Sequence, residues 1–178
     1  MGMLKGNRVI LRAVEKRDVA LFYDMWSDDD IRKFDGAGQI VPSKEYIMEN
    51  FQVIMNSYKK HLTIINEKGS IIGYLTYEPI KDCKNVFEIG ITINKNFWSR
   101  GYGKDSIRTI LKFLFLETAA ERVELRVCID NIRAIGCYKK CGFEEEGINK
   151  NRFFSEGKYK DVLMMSILKD KFHKFYDV

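Results

Sequence analysis

Apolar and polar residues alternate most cleanly from Val86 to Ile93. Phe87, Ile89, Ile91 and Ile93 share one side and Glu88, Gly90 and Thr92 the other, the period-two signature of a β-strand. Beyond a glycine turn the period lengthens: Ile107, Ile110, Leu111, Leu114 and Phe115 recur at helical spacing, predicting an amphipathic helix that begins near Gly103. Val123 to Val127 then reads as a second strand, so that strand, helix and strand form one right-handed βαβ crossover. Sheets built this way take ligands at the carboxyl ends of their strands.

The remaining pattern supplies elements on both sides of that crossover. Val9 to Ala13 reads as a strand, and Arg17 to Trp26 as a helix presenting Val19, Phe22, Tyr23 and Trp26. Asp28, Asp29 and Asp30 open a short helical turn, where carboxylates favour the positive end of the helix dipole. Pro42 and Ser43 introduce one further helix with Ser43 as N-cap and Ile47, Phe51, Ile54, Met55 and Tyr58 on a common face. Leu62 to Asn66 and Ile71 to Tyr77 flank a hairpin turn at Glu67 to Ser70. Asn131 to Lys140 predicts a short helix with Gly142 as its C′ residue, and Phe143 to Phe154 with Lys158 to Leu168 predicts a closing hairpin.

A chain of 178 residues is long enough for one domain, here 1–178, with a substantial core. Apolar residues make up 46% and charged residues 31%, with 2 prolines and no low-complexity run, which excludes an extended disordered linker. No apolar run approaches the roughly 20 residues that span a bilayer, and the start lacks a leader-like apolar core, so a cytoplasmic location without membrane association is expected. Cys83, Cys128, Cys137 and Cys141 include no Cys-x-x-Cys pair, and His61 and His173 are far apart, so a metal site or a disulfide framework is not expected; the cysteines read as packing thiols. The net charge of +5 comes from scattered lysines and arginines without a basic helix, which does not imply nucleic acid.

The candidate chemistry lies in Trp98-Ser99-Arg100-Gly101-Tyr102-Gly103-Lys104, the turn between the best strand and the best helix. Such a turn leaves backbone N–H groups unpaired beside a positive helix end and suits a phosphate. It is not a P-loop, because Gly-x-x-x-x-Gly-Lys-Ser/Thr is missing, and the dinucleotide fingerprint fails where Ser106 replaces its third glycine. The segment instead resembles the pyrophosphate motif Arg/Gln-x-x-Gly-x-Gly/Ala of the GNAT superfamily of acetyl-CoA-dependent N-acetyltransferases, with Trp98 at the first position in place of Arg or Gln. A second signature of that superfamily, Asn-x-x-Ala-x-x-x-Tyr-x-Lys-x-Gly-Phe, matches Asn131, Ala134, Tyr138, Lys140, Gly142 and Phe143. Val9-Ile10-Leu11-Arg12 with Asp18, and Gly157, Tyr159 and Asp161, are similar to the RimJ/RimL-type branch of ribosomal-protein N-terminal and small-amine acetyltransferases. The likeness runs from about Lys5 to Leu168.

The resemblance implies an α+β (α/β) GNAT fold, with a mixed central sheet of about seven strands flanked by about four helices and a cofactor wedge between splayed strands. It implies acetyl-CoA as cofactor, its pantetheine paired with the backbone of Ile91, Thr92 and Ile93 and its diphosphate on the amides from Arg100 to Lys104, within the motif that starts at Trp98 and Ser99. It assigns Asn131 to the cofactor arm, a role compatible with N-capping its helix, and places Tyr138 where a phenol titrating near about 10 can protonate a departing thiolate of pKa about 8.5. An amine acceptor is mostly protonated at neutral pH, so a base is needed; Glu88, on the polar face of the strand, is the candidate, against a merely solvated role. An N–H near Ile91 is the candidate oxyanion donor. With no Gly-x-Ser-x-Gly elbow, direct attack in a ternary complex is expected.

In this superfamily acceptor choice lies in the segments that correspond here to Asp28 to Gln39 and Glu144 to Lys158. The acidic triplets Asp28 to Asp30 and Glu144 to Glu146 suit a cationic amine such as a polyamine, an aminoglycoside or a peptide N-terminus, or else are simply solvated. An exposed strand edge beside the late hairpin permits a homodimer. Two other readings remain: a non-catalytic acetyl-CoA-binding module, and a nucleotide-dependent oxidoreductase on a doubly wound sheet.

Overall fold

Eight strands join into one mixed sheet in a computed structural model that describes residues 2–34 and 41–177. They are β1 (Leu4–Lys5), β2 (Val9–Ala13), β3 (Lys60–Asn66), β4 (Ile71–Pro79), β5 (Val86–Ile93), β6 (Arg122–Cys128), β7 (Glu144–Ser155) and β8 (Lys158–Leu168), in spatial order β1-β2-β3-β4-β5-β6-β8-β7. The α-helices are α1 (Val19–Trp26), α2 (Asp29–Arg32), α3 (Lys44–Glu49), α4 (Phe51–Met55), α5 (Tyr102–Lys112), α6 (Ile132–Lys139) and α7 (Lys169–Tyr176). The sheet exceeds the expected strand number through the two-residue β1, and the helix number rises through α7 and the short helices between β2 and β3. Only β5 and β6 run parallel. The other pairings are antiparallel, so the doubly wound oxidoreductase architecture is not the one present.

The period-two pattern decides what each face meets. Leu11, Leu62, Ile64, Leu75, Ile89, Val123, Leu125, Met165 and Ile167 are buried on one face in a common core with Ile107, Ile110 and Leu111 of α5 and with Leu114 in the helical turn that follows it. Each such side chain, withdrawn from water, contributes about 1.5–3 kcal/mol. The opposite face carries Arg12, Thr63 and Tyr74, in register across β2, β3 and β4, and is covered by α1, whose Phe22 ring stands 5.1 Å edge-on from Tyr74. The helix expected after Ser43 is two helices. Ser43 Oγ caps α3 by accepting from the Tyr46 N–H at 3.1 Å, and the helix is interrupted at Asn50, whose φ of −92° and ψ of 9° leave the helical region while its N–H and Nδ2 both donate to the Tyr46 carbonyl at 3.0 and 2.8 Å. Ile47 and Phe51 are buried as expected, whereas Tyr58 lies past α4 and is 85% exposed.

Beneath α1 the branch-like Arg12 and Asp18 form a buried pair. Asp18 has 0% side-chain exposure and Arg12 13%. The guanidinium donates to both carboxylate oxygens at 2.7 and 2.9 Å, while Thr63 Oγ1 and the Glu15 N–H donate to Asp18 Oδ2 at 2.6 and 2.9 Å. Burial by itself raises the carboxyl pKa, but these donors outweigh it and hold Asp18 below the ordinary carboxylate value. A depressed folded-state pKa adds stability above the unfolded value of about 3.9 that disappears as pH falls through the lower folded value. Stability followed by urea titration should therefore hold between pH 7 and 5 as far as Asp18 is concerned and decline below about pH 4, a decline absent in Asp18→Asn.

Candidate active site

β5 and β6 pair only at Val86 with Arg122, Phe87 with Val123 and Glu88 with Glu124. Beyond Glu88 the strands part. β6 stays zipped to β8 through Cys128 and β5 stays zipped to β4 through Ile93, so the gap opens on one edge of each. Into it runs a cleft of about 1040 Å³, bounded by β5 residues Glu88 to Ile93, by Gly103 and Ile107 of α5, and by Asn131, Ala134, Cys137 and Tyr138 at α6.

Strand register determines which backbone groups face that gap. The Asn94 N–H bonds the Ile72 carbonyl at 2.8 Å and the Ile80 N–H bonds the Val86 carbonyl at 2.9 Å. Antiparallel alternation between those two pairs commits Glu88, Gly90 and Thr92 to β4 and turns the N–H and C=O groups of Ile89, Ile91 and Ile93 toward the parted strand. The expected pairing of the Thr92 backbone with a cofactor is thus corrected: its main-chain groups serve the β4 ladder, and it meets the cleft as a side chain. The Ile93 carbonyl accepts from Trp98 Nε1 at 2.6 Å. Trp98, the departure from the family motif, thereby latches the turn to the strand end, and the Arg133 guanidinium lies 3.4 Å over its ring.

The turn is held from outside as well. Arg8 donates to the Arg100 carbonyl at 2.6 Å and to Glu67 at 2.9 Å, and lies 4.4 Å over the Tyr102 ring, whose hydroxyl donates to the same Glu67 oxygen at 3.1 Å. Asp105 accepts from the N–H groups of Asn7, Arg8 and Val9 at 3.2, 2.7 and 3.1 Å, fixing α5 to the amino-terminal strands. Ser99 and Gly101 have φ of 58° and 86°. Gly101 is the N-cap of α5 without a capping side chain, and the first intrahelical bond is that of the Asp105 N–H to the Gly101 carbonyl at 3.1 Å. The amides of Tyr102, Gly103 and Lys104 therefore open the helix without an intrahelical acceptor, with Gly103 on the cleft wall. A Cβ at Gly101 meets only ordinary contact, 3.6 Å from Arg8, so the positive φ alone opposes substitution. Gly101→Ala should cost about 1–2 kcal/mol. If that cost flattens the turn rather than the whole fold, calorimetric titration should show CoA affinity falling about tenfold.

The residues singled out at α6 and β5 converge on the cleft in different states. Asn131 Oδ1 accepts from the Ala134 N–H at 3.2 Å, making it the N-cap of α6. Tyr138 is 8% exposed, on the cleft wall, with Phe143 edge-on at 6.0 Å, and Gly142 adopts φ 92° just beyond the helix. Glu88 reaches the cleft, yet its Oε1 accepts from Arg126 Nε and Nη2 at 3.1 and 2.7 Å, leaving Oε2 without a partner among the described residues. The packing role given to the cysteines holds for Cys128 and Cys141, which are buried; Cys83 is exposed between β4 and β5, and Cys137 is half-buried on the cleft wall.

Neither acidic triplet lines the cleft. Asp28 and Asp30 pair with Lys95 at 2.8 and 3.2 Å, and Glu144, Glu145 and Glu146 pair with Lys171, Lys139 and Arg122. Residues 35–39 of the segment expected to select the acceptor lie outside the described residues. His61, by contrast, was not a sequence candidate. It lines the cleft opposite Thr76, and its Nδ1 is buried without a hydrogen-bond partner. Burial and, after it, the charge of Lys59 push its pKa below the ordinary 6.5, so the ring is neutral at pH 7. Its place two residues from Thr63 on the polar side of β3 was the available signal.

Among the described residues no helix is long and apolar enough to cross a membrane. Residues 8–144 match the model of the acetyltransferase (GNAT) domain. Spermidine N(1)-acetyltransferase of Vibrio cholerae is 25% identical over 174 residues, covering 93% of this chain and 96% of that protein. The L-amino acid N-acetyltransferase of Escherichia coli (strain K12) is 24% identical over 165 residues, covering 92% and 99%. In three dimensions the chain is similar to a crystal structure of spermidine N-acetyltransferase from Vibrio cholerae in complex with CoA and spermine, with TM-score 0.83 and 24% identity over 92% of this chain and 97% of that one, a likeness of fold. With strands that part beside an uncapped helix start, and a family match over most of its length, the chain belongs to the GNAT family of acetyl-CoA-dependent N-acetyltransferases.

Proposed function

We propose that this protein transfers the acetyl group of acetyl-CoA to a primary amine by direct attack within a ternary complex, and that it belongs to the RimJ/RimL-type branch. The observation that carries this reading is the gap beyond Glu88: the edge of β5 that turns the Ile91 main-chain groups toward the parted strand leads to the free amides of Tyr102, Gly103 and Lys104. An extended amide-bearing arm with an anionic end fits that sequence of groups. Acetyl-CoA, when bound, supplies an activated thioester.

The chain's own residues supply the rest. Tyr102, Gly103 and Lys104 hold the diphosphate through main-chain N–H groups, with the Arg100 and Lys104 side chains adding charge. Asn131, its Oδ1 committed to the cap, offers its amide N–H₂ to the cofactor arm. The Ile91 N–H faces the gap and stabilises negative charge on the reacting carbonyl oxygen. Glu88 receives the amine proton, directly or through a water at Oε2, and Tyr138 returns a proton to the departing sulfur. The relatives named above carry names for N-acetylation of spermidine and of L-amino acids, which supports a primary amine as the shared feature. The exposed edge of β7 offers a surface for a homodimer, and the reading needs neither nucleic acid nor a membrane.

Free-thiol release from acetyl-CoA across a panel of amines, with the acetylated product identified by mass spectrometry, tests the proposal. At least one primary amine should give amine-dependent turnover. CoA binding without turnover of any amine would overturn it.

A further inference from the structure

Among the described residues that line the cleft, cations outnumber carboxylates: Lys59, Arg126, Arg133 and Arg152 face a single carboxylate, Glu88. Three of the four cations are engaged. Lys59 pairs with Glu78 at 3.0 Å, Arg126 with Glu88 at 2.7 Å, and Arg133 stacks on Trp98 at the turn. Arg152 has no hydrogen bond or ion pair among the described residues.

The backbone is bent to put it there. β7 pairs Asn149 with Val162 and Phe153 with Lys160, so Lys150, Asn151 and Arg152 stand opposite the single residue Asp161. This bulge needs Asn151 at φ 53°, and Asp161 stabilises it by accepting from the Asn151 N–H at 2.8 Å rather than by neutralising Arg152. Bulges beside sites serve to re-aim a side chain. Phe153 follows in the chain and also lines the cleft, to which Trp26, Phe34 and Tyr74 add aromatic surface. A multiply charged cation would meet like charge on these walls, with Asp28, Asp30 and Glu144 to Glu146 paired elsewhere.

We propose that the acceptor of this enzyme is a primary amine that also carries a carboxylate, with Arg152 as the residue that binds the carboxylate and the aromatic wall taking an apolar side chain. The inference rests on the acetyl-transfer reading and narrows it to amino-acid-type acceptors. A guanidinium suits this purpose because its fork donates two parallel N–H bonds to one carboxylate.

The test compares L-phenylalanine, L-phenylalaninamide, 2-phenylethylamine and spermidine as acceptors by thiol release at one pH. The account expects kcat/KM for L-phenylalanine at least about tenfold above each of the others, the loss of one charged hydrogen-bond partner. The amide, with its less basic amine, is the more deprotonated acceptor at neutral pH, so intrinsic reactivity works against that order. Arg152→Ala should raise KM for L-phenylalanine about tenfold or more while leaving KM for 2-phenylethylamine and the affinity for CoA within about twofold, and Arg152→Lys should restore part of the loss. Spermidine as the best substrate, or an Arg152→Ala effect equal for all amines or shifted to CoA affinity, would overturn the inference and leave acetyl transfer standing. If none of the amines in this and the wider panel were acetylated, acetyl transfer would fall and the inference with it.

Discussion

Tyr138→Phe should lower kcat by about 100-fold or more while CoA affinity stays within about twofold of the parent. The substitution removes one oxygen from a side chain that is 8% exposed on the wall of the cleft, and keeps the ring that packs edge-on against Phe143 at 6.0 Å. Thermal denaturation should therefore change little. The kinetic loss has a chemical origin: without the hydroxyl the thiolate must leave unprotonated or wait for water, and positioned proton transfer of this kind is worth about 10²–10⁴ in rate. The same variant separates an enzyme from a binding module that merely retains the fold. A module would show no amine-dependent turnover in the parent and nothing for the substitution to remove, whereas an unchanged kcat would remove Tyr138 from the proton path.

Asp18→Ala should destabilise the protein by about 3–5 kcal/mol, the usual cost of leaving a buried charge without its partner. Arg12 would lose both short bonds to the carboxylate, at 2.7 and 2.9 Å, and the Thr63 hydroxyl and the Glu15 N–H would lose their acceptor as well. Replacing both partners, as in Arg12→Met with Asp18→Leu, should cost less than Asp18→Ala alone, because no unpaired charge remains below α1. Urea denaturation of the three proteins measures this. Equal losses in the single and double variants would mean that the ion pair is not what holds that corner.

Much of the scaffold was legible because its signals are local. Period-two alternation in β5, helical spacing in α5, the Ser43 cap and the positive φ at Gly142 depend on neighbours a few residues away, and each stands where the pattern put it. The pairing of Asn131 with Tyr138 across one short helix was equally readable, and both line the cleft. What sequence could not carry depends on partners distant in the chain. The acidic triplets look like a cation trap until Asp28 and Asp30 are seen to share Lys95, 65 residues from Asp30, and Glu146 to meet Arg122, 24 residues away. Thr92 looks equivalent to Ile91 and Ile93 until the register with β4 assigns its backbone inward. The helix after Ser43 breaks at Asn50, whose backbone leaves the helical region at φ −92° and ψ 9°, a choice that composition leaves open. Arg152 and His61 matter through the walls they face, across β7 to β8 and β3 to β4, and neither belongs to a motif.

The most direct measurement is a crystal structure of the protein with CoA bound. The account predicts diphosphate oxygens at hydrogen-bond distance, about 3 Å, from the N–H groups of Tyr102, Gly103 and Lys104, with the pantetheine lying along Ile91 and Ile93 between the parted strands β5 and β6. A diphosphate seated elsewhere, with that helix start untouched and the gap between the strands empty, would contradict it.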